Sequence, residues 1–361
     1  VKGEAEEVWA DMLEDVIEDR VKPIYDISEH PTLTDAPIPK VPPGYMRHFL
    51  FRYRATLDTS RGCPFDCSFC TVINIQGRKM RLRPPEHILQ GIRENLAGHK
   101  GAFFYFFCDD NIARNRQWEE LFDGLARLRK EEGIDLDFTM QVDAAAYKIP
   151  NFVKKAAEAG CTSVFVGIES FNPDTLEKIS KKQNSPTDYA AMVEAWHSAG
   201  VHVHAAYIIG FPNDTYESAM EAVDRLANEL KVDLSSFFML TPLPGSRDWD
   251  EMVARGVPVD EDFNGFDSSH ALTDHPRMSR QQWFTAYADA WKRFYSFENM
   301  KAILLRSSIH SYWGMIQSFI WYRAAMLEGI HPMLVGFFRL KDRTERRPGY
   351  AIDPWWLHVR K

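Results

Sequence analysis

The chain has 361 residues, of which 45% are hydrophobic and 26% charged, and its formal net charge is -8. This composition predicts a globular protein with a large core, built as two domains or as one domain with an extension. The acidic balance argues against a nucleic-acid-binding protein, since a basic face normally supplies most of that affinity. Five cysteines, three of them in one loop, do not make a disulfide framework. No secretory signal opens the sequence and no apolar run is long enough to span a bilayer, so we expect a cytoplasmic protein.

Residues 1–50 are predicted to form an N-terminal helix followed by a proline-rich linker. Apolar residues recur at helical spacing in an acidic segment, at Val8, Trp9, Met12, Leu13 and Val16. Six prolines between positions 23 and 43 then favour an extended path over a surface. The helix is either an amphipathic element packed on the core or the tail of a preceding domain.

A short loop at residues 59–71, with the sequence TSRGCPFDCSFCT, contains Cys63, Cys67 and Cys70 in a CxxxCxxC spacing. Three thiolates from one loop can hold three irons of a [4Fe-4S] cluster and leave the fourth iron without a protein ligand. A structural zinc site is the alternative, but zinc normally takes four ligands from paired knuckles and the sequence has no second pair. The spacing therefore favours a cubane cluster with one open iron.

With the aromatic Phe69 directly before the third cysteine, this loop resembles the signature of the radical S-adenosylmethionine (radical SAM) superfamily. The resemblance implies a [4Fe-4S] cluster on Cys63, Cys67 and Cys70, with SAM on the open iron. It also implies reductive cleavage of SAM to a 5'-deoxyadenosyl radical, which abstracts hydrogen from an unreactive carbon. The family's usual electron donor, a flavodoxin or a ferredoxin, is then the expected protein partner.

After the cysteine loop, strands and helices alternate regularly. The strands are predicted at 55–58, 102–107, 136–142, 163–168, 203–209 and 234–240, and helices between them at 84–96, 117–130, 150–159, 173–179, 186–199 and 216–230. Such alternation indicates an α/β fold with a parallel sheet, helices outside and right-handed crossovers. Six units are too few for a closed eight-stranded barrel. They suit the partial (β/α)6 TIM-like barrel of the radical SAM family, which we place at residues 51–248.

In such a barrel, functional residues gather at the C-terminal ends of the strands. The resemblance implies that Asp109 or Asp110, in the FFCDDN segment, accepts a hydrogen bond from the amino group of SAM. It likewise directs Glu169, in the GIES segment, toward the polar groups of SAM, with a buried structural acid as the alternative. Gln141 follows the third strand, where its amide could reach SAM or the substrate.

The YIIGFP segment resembles the stretch of the fifth strand that supports the adenine of SAM. This resemblance implies apolar and backbone contacts from Tyr207, Ile209 and Phe211, with Phe69 packing on the same base. Helix caps and turns are the alternative for the polar residues at strand ends, and for Asp214 we favour the cap.

Residues 249–361 are predicted to form a mainly helical, aromatic-rich region. Amphipathic helices are expected at 281–294 and 297–306, followed by a dense apolar helix at 312–327 and a basic run from Arg339 to Arg347. The region is either a lid over the barrel mouth or a surface for a hydrophobic substrate, with anionic headgroups near the basic run. Peripheral membrane contact therefore stays open.

The FFCDDN, GIES and N-terminal GEAEE segments resemble the cobalamin (B12)-binding radical SAM subgroup, whose cobalamin domain would then be largely absent from this chain. Three functions compete. The first is cobalamin-dependent methyl transfer to a small or lipid-like substrate, and the second is a cobalamin-independent cyclisation, desaturation or rearrangement. The third is a non-catalytic cluster-binding module, which is disfavoured because the cysteine loop and the acidic SAM loop supply every part that catalysis needs.

Overall fold

The computed structural model of the chain describes residues 1–27, 29–41, 53–97, 103–260, 262–328 and 332. Part of the predicted linker and the basic run from Arg339 to Arg347 lie outside these residues. The chain falls into two compact units. The first comprises Val1–Ala206, Val232–Leu234 and Pro242–Gly256, and the second comprises Tyr207–Lys231, Ser235–Thr241 and the chain from Val257 onward. The predicted domain boundaries at residues 50 and 248 stay predictions.

Eight strands are found among the described residues: β1 (Tyr53–Leu57), β2 (Ser60–Arg61), β3 (Arg81–Leu82), β4 (Phe103–Phe107), β5 (Leu136–Val142), β6 (Cys161–Glu169), β7 (His202–Ile209) and β8 (Leu234–Met239). Six of them form one sheet in the order β1-β4-β5-β6-β7-β8. From β1 to β6 the register is parallel, with Tyr53 opposite Phe103 and Phe103 opposite Leu136. The predicted α/β fold with a parallel sheet is confirmed.

The two remaining strands form a short antiparallel hairpin that the sequence analysis did not predict. In it β2 pairs with β3, so that Ser60 lies opposite Leu82 and Arg61 lies opposite Arg81. The residues between these two strands carry the three cysteines. The hairpin therefore fixes both ends of the cysteine loop.

The helices are α1 (Trp9–Ile17), α2 (Val72–Ile75), α3 (Pro85–Leu96), α4 (Trp118–Lys130), α5 (Phe152–Ala159), α6 (Pro173–Lys178), α7 (Tyr189–Ser198), α8 (Tyr216–Asp224), α9 (Arg247–Ala254), α10 (Arg280–Phe294), α11 (Phe297–Arg306) and α12 (Ile309–Glu328). The predicted helix at 216–230 is α only as far as Asp224 and continues as a π-helical turn. The helical C-terminal portion is confirmed by α10, α11 and α12.

The core of the first unit lies where helices cover the sheet. In β4, the buried residues Phe103, Tyr105 and Phe107 alternate with half-buried ones. Helix α4 buries Phe122 and Leu125 on one face. Burying each side chain of this size stabilises the fold by about 1.5–3 kcal/mol. This packing holds the strand ends in fixed positions.

The second unit contains the YIIGFP segment and the C-terminal helices. Two of its helices begin with a capping box, in which Thr215 caps α8 and Ser279 caps α10. Tyr295 lies fully buried at the end of α10, and its hydroxyl donates to the carbonyl of Ser235 at 2.7 Å. None of the described helices has the length and apolar character that a membrane crossing requires.

Candidate active site

The cysteine loop is tightly folded between β2 and β3. Gly62 has a φ of +98°, and a side chain there would meet the carbonyl oxygens of Lys79 and Gly77 at 2.8 and 2.9 Å. The backbone N–H of Cys63 donates to the carbonyl of Gly77 at 3.2 Å, which closes the loop. The N–H of Cys70 donates to the carbonyl of Cys67 at 3.1 Å, which forms the turn between the second and third cysteines. The chain itself therefore sets the curvature of this loop.

The three thiols lie in a poorly solvated place. Cys67 is buried, whereas Cys63 and Cys70 are half-buried. Burial raises the pKa of all three thiols, to about 11 for Cys70. The positive charge of Lys181 acts in the opposite direction on each of them. A thiolate at this loop is therefore stabilised by a nearby cation, which is also what a bound metal would supply.

An ion pair that the sequence analysis did not foresee lies beside the thiols. Lys181, just after α6, donates to Glu169 at the end of β6, with Nζ and Oε1 2.5 Å apart and both side chains almost fully buried. Glu169 has a φ of +63°, a strained conformation for a residue other than glycine. A side chain at Gly167 would come within 2.2 Å of Glu169 Oε1 and 2.8 Å of Lys181 Nζ. Only glycine at position 167 leaves room for this pair.

Phe69 and Gln183 complete the surroundings of the thiols. The Nζ atom of Lys181 lies 5.7 Å from the centre of the Phe69 ring. The amide Nε2 of Gln183 lies 3.8 Å from Cys67 Sγ. Its Oε1 is buried and has no hydrogen-bond donor within the described part of the chain. A buried polar atom of this kind calls for a ligand or water.

The two aspartates after β4 differ in their surroundings. Asp109 is 1% exposed and accepts hydrogen bonds from the N–H and hydroxyl of Thr59 and from the hydroxyl of Ser60. Its carboxylate thus holds the end of β1 against β4, while burial raises its pKa to about 6. Asp110 accepts from the N–H of Gly62 at 3.2 Å, directly before Cys63. Of the two carboxylates, that of Asp110 accepts fewer hydrogen bonds from the protein.

Gln141 lies at the same edge of the sheet. Its amide Nε2 donates to the backbone carbonyl of Asp109 at 3.1 Å. The side chain therefore supports the loop after β4, and its role toward SAM stays a prediction.

Tyr207, Ile209 and Phe211 belong to the second unit and are all buried. The carbonyl of Ile209 accepts from the indole N–H of Trp283 at 2.9 Å. Asp214 accepts from the N–H groups of Gly210 and Phe211, each at 2.9 Å, and so closes the turn after β7. The helix cap that we favoured for Asp214 is made by Thr215 instead. The predicted contact of this segment with adenine stays a prediction.

The structure brings together most of the predicted residues of the first unit. Cys63, Cys67, Cys70, Phe69 and Glu169 surround Lys181, which the sequence analysis missed. The available signal was the Lys-Lys-Gln sequence that follows α6 at the same end of the sheet as Glu169. The other missed residues, Gln183 and the arginines of the hairpin, carried no signal of their own.

The residues present fit a [4Fe-4S] cluster. Among the described residues, no group of three or more histidine, cysteine, aspartate or glutamate side chains is arranged around a single metal ion. A cubane cluster does not need three side chains around one metal ion, since each thiolate binds a different iron. Three thiols on one closed loop are a donor set of this type, and a buried lysine and an unpaired amide oxygen lie beside them.

This chain is similar to known proteins of the radical SAM type. Residues 57–226 match the radical SAM superfamily. The bacteriochlorophyllide d C-8(2)-methyltransferase of Chlorobaculum tepidum is 27% identical over 325 residues, covering 85% of this chain and 68% of that protein. The hopanoid C-2 methylase of Rhodopseudomonas palustris is 26% identical over 259 residues, covering 71% of this chain and 48% of that protein.

Among solved structures, the cobalamin-dependent S-adenosylmethionine radical enzyme OxsB, with aqua-cobalamin bound, superposes with a TM-score of 0.60. The match covers 91% of this chain and 55% of that one at 14% identity, so it concerns the fold. The chain spans from about half to two thirds of the length of these three proteins. Residues 57–226 therefore match a radical SAM domain, and the chain has the fold of OxsB, a partial barrel with a parallel sheet.

Proposed function

We propose that this chain is the radical SAM portion of a cobalamin-dependent methyltransferase that acts on a hydrophobic small molecule. The observation that carries the proposal is the closed three-cysteine loop with the buried Lys181–Glu169 pair beside it. The choice of methyl transfer is supported by the names of the two curated relatives, both methylating enzymes. The choice of cobalamin is supported by the fold shared with OxsB.

In this proposal Cys63, Cys67 and Cys70 each bind one iron of a [4Fe-4S] cluster, and SAM completes the fourth. When bound and reduced, these two cofactors supply a carbon-centred radical that removes hydrogen from an unactivated carbon. The protein provides position and shielding. Burial of Cys67 keeps water from the cluster loop, and the Lys181 ammonium offsets negative charge on the thiolates.

Polar groups at the strand ends would orient SAM. Asp110 is proposed to accept from the SAM ammonium, because its carboxylate accepts fewer hydrogen bonds from the protein than that of Asp109. Glu169 and Lys181 offer an acceptor and a donor that can exchange their mutual hydrogen bond for bonds to SAM. Gln141 is proposed as a further donor at this edge, next to the loop after β4.

The apolar part of SAM needs a different surface. We assign the adenine to Phe69 and to the Tyr207, Ile209 and Phe211 stretch, which the resemblance implies. Because Tyr207, Ile209 and Phe211 are buried, we propose that they contact the adenine through backbone groups and ring edges.

A lipid-like or tetrapyrrole-like substrate is proposed because the curated relatives are a hopanoid methylase and a bacteriochlorophyllide methyltransferase. Reduction of the cluster needs a low-potential donor, and a flavodoxin- or ferredoxin-type protein is the proposed partner. Contact with a membrane surface is proposed only as the route by which such a substrate would be reached.

The proposal is tested by anaerobic reconstitution with iron and sulfide, followed by incubation with hydroxocobalamin, dithionite and SAM labelled in its methyl group. We expect 5'-deoxyadenosine from SAM and label in a hopanoid or bacteriochlorophyllide extract.

The outcomes separate the functions. Deoxyadenosine without transferred label, with hydroxocobalamin in excess, would overturn methyl transfer and leave a cobalamin-independent hydrogen-abstraction reaction. Failure to bind iron at all would overturn the radical SAM function of this chain. The matched control is Cys161→Ala, which removes a buried cysteine from β6 and not from the loop.

A further inference from the structure

Two arginines face each other across the base of the cysteine loop. Arg61 on β2 lies directly opposite Arg81 on β3. Like charges at opposing positions of an antiparallel pair destabilise it. This hairpin has only two residues in each strand, so it contributes few backbone hydrogen bonds of its own. Something must offset the repulsion for the hairpin to close.

Asp58 offsets part of the charge of Arg61, with Nε and Oδ2 2.8 Å apart, and further compensation comes from the N-terminal segment. Oε2 of Glu4 accepts from Arg61 Nη1 at 2.5 Å and from Arg81 Nη1 at 3.0 Å, and Oε1 accepts from Arg81 Nη2. Only 8% of the Glu4 side chain is exposed, against 18% for Arg61 and 10% for Arg81. One nearly buried carboxylate thus bridges both arginines. Arg61 also pairs with Asp58 and Glu6, so removal of Glu4 mainly leaves the charge of the more deeply buried Arg81 without compensation.

The position of Glu4 is itself fixed by the backbone. The N–H of Lys2 donates to the carbonyl of Tyr25, and the N–H of Ile27 donates to the carbonyl of Lys2, both at 2.8 Å. At Gly3, with a φ of +98°, a side chain would meet the carbonyl oxygen of Ile27 at 2.3 Å. The N-terminal segment is therefore held against residues 25–27, with Glu4 directed at the hairpin.

A chain of hydrogen bonds connects Glu4 to the first cysteine. Arg81 Nη2, held by Glu4, also donates to the carbonyl of Gln76 at 3.1 Å. The side chain of Gln76 accepts from the N–H of Gly62 at 3.1 Å, and Gly62 precedes Cys63. Arg61 lies one residue before Gly62 on the other side. Both routes from Glu4 end at the backbone that presents Cys63.

We propose that Glu4 is a positioning residue of the cysteine loop, which makes the N-terminal segment a part of the cluster site. By bridging Arg61 and Arg81, its carboxylate keeps the hairpin closed and the loop curved before any cofactor binds. The inference about the loop stands on contacts within the protein. Its consequence for cluster retention rests on the function proposed above.

The first test is hydrogen exchange of the cluster-free full chain, comparing wild type with Glu4→Gln. The amide of glutamine keeps the shape of the side chain and removes its charge. Breaking a buried ion group is a large local effect, so we expect exchange at residues 62–80 to accelerate by about 100-fold. The strands β4, β5 and β6 should keep their protection. The control is Glu7→Gln, at an exposed position in the same segment.

Equal acceleration in β4 to β6 would show that Glu4 serves global stability only, and unchanged exchange at residues 62–80 would overturn the inference outright. The variants Arg81→Gln and Glu4→Gln/Arg81→Gln guard against a misfolded single variant. If the two residues act through each other, the double variant exchanges no faster than the faster single variant. If the double variant accelerates exchange by the product of the two single effects, Glu4 does not act by bridging to Arg81.

The second test follows release of iron to a chelator from the anaerobically reconstituted protein, by loss of visible absorbance. We expect Glu4→Gln to release iron about tenfold faster than wild type and Glu7→Gln, because an open loop exposes the cluster. If hydrogen exchange changes but iron release does not, Glu4 positions the loop only in the cluster-free protein. If wild type takes up no iron, the proposed function fails while the exchange result still decides the role of Glu4.

Discussion

The two ends of the parallel sheet in the first unit hold buried charges in opposite ways. At the amino end, Asp233 is 2% exposed and accepts from the N–H of Val203 at 2.9 Å, while His197 Nε2 lies 2.8 Å from it. At the carboxyl end, the Lys181–Glu169 pair lies beside three thiols, and the backbone of Glu169 is strained. The first arrangement is complete within the protein, whereas the second includes the buried Oε1 of Gln183, which calls for a ligand or water.

The ionisation of buried groups shows the same difference. Burial opposes the charge of Asp233, but hydrogen bonds from His197 and His202 outweigh it and hold its pKa well below the usual range. At the carboxyl end, burial dominates and raises the pKa values of Asp109, Asp110 and Cys70. Polar groups kept in an unfavourable state at one end of a barrel are the mark of a functional site.

The largest effect is expected from Cys67→Ala. Loss of one of three protein ligands removes the cluster, so iron after reconstitution should fall from about four per chain to nearly none. Iron and sulfide analysis with the visible spectrum measures this. Cys161→Ala, at the other end of β6, should retain the full complement. Equal loss in both variants would mean that the difference between the two ends has no bearing on metal binding.

Asp233→Asn tests the amino end. The substitution removes the negative charge that His197 and His202 contact. We therefore expect the free energy of unfolding to fall by about 3 kcal/mol at neutral pH. The pKa of Asp233 is lowered in the fold, so its stabilisation is present above its ordinary value of 3.8 and is lost as the pH falls below it. Urea unfolding at several pH values should show the variant and wild type converging in acid. Iron binding should be unchanged.

Asp109→Asn should show the opposite pH dependence. Its pKa rises from 3.8 to about 6 in the fold, so the stability that it contributes is complete below pH 4 and is lost as the pH rises through 6. Wild type should therefore lose about 3 kcal/mol of unfolding free energy between pH 4 and pH 7 that the variant does not lose. Parallel pH profiles for wild type and variant would contradict a raised pKa of Asp109 in the fold.

Lys181→Met is expected to have the smallest effect, on the reduction potential of the cluster. A buried cation favours the more negative, reduced state, so its removal should lower the midpoint potential by about 60 mV, a tenfold change for one electron. Potentiometric titration followed by electron paramagnetic resonance measures the shift. Lys182→Met, at the exposed neighbouring position, is the control. Equal shifts in both would reduce the role of Lys181 to general surface charge.

Sequence patterns were sufficient for the parts of the fold that depend on periodicity. The strand at 136–142 and the helix at 297–306 were predicted to the residue, because apolar alternation and helical spacing extend over several residues. The cysteine loop was evident because its spacing is local. The hairpin of β2 and β3 was missed since two residues per strand show no period.

The contacts that complete the site could not be predicted for a physical reason. Glu4 lies 57 residues from Arg61 and 77 from Arg81, and nothing near it in sequence signals a buried charge. Lys181 follows a helix whose end would ordinarily face solvent, yet it is buried against Glu169. Pairing of charges across such distances depends on how the hairpin and the strand ends meet in space.

The most direct test of the account is electron paramagnetic resonance of the reconstituted, dithionite-reduced protein before and after addition of SAM. We expect the signal of a reduced [4Fe-4S] cluster, carried by Cys63, Cys67 and Cys70, and a clear change in its g values when SAM occupies the open iron. A cluster signal that SAM leaves unchanged, or no cluster signal in protein loaded with iron, would contradict it.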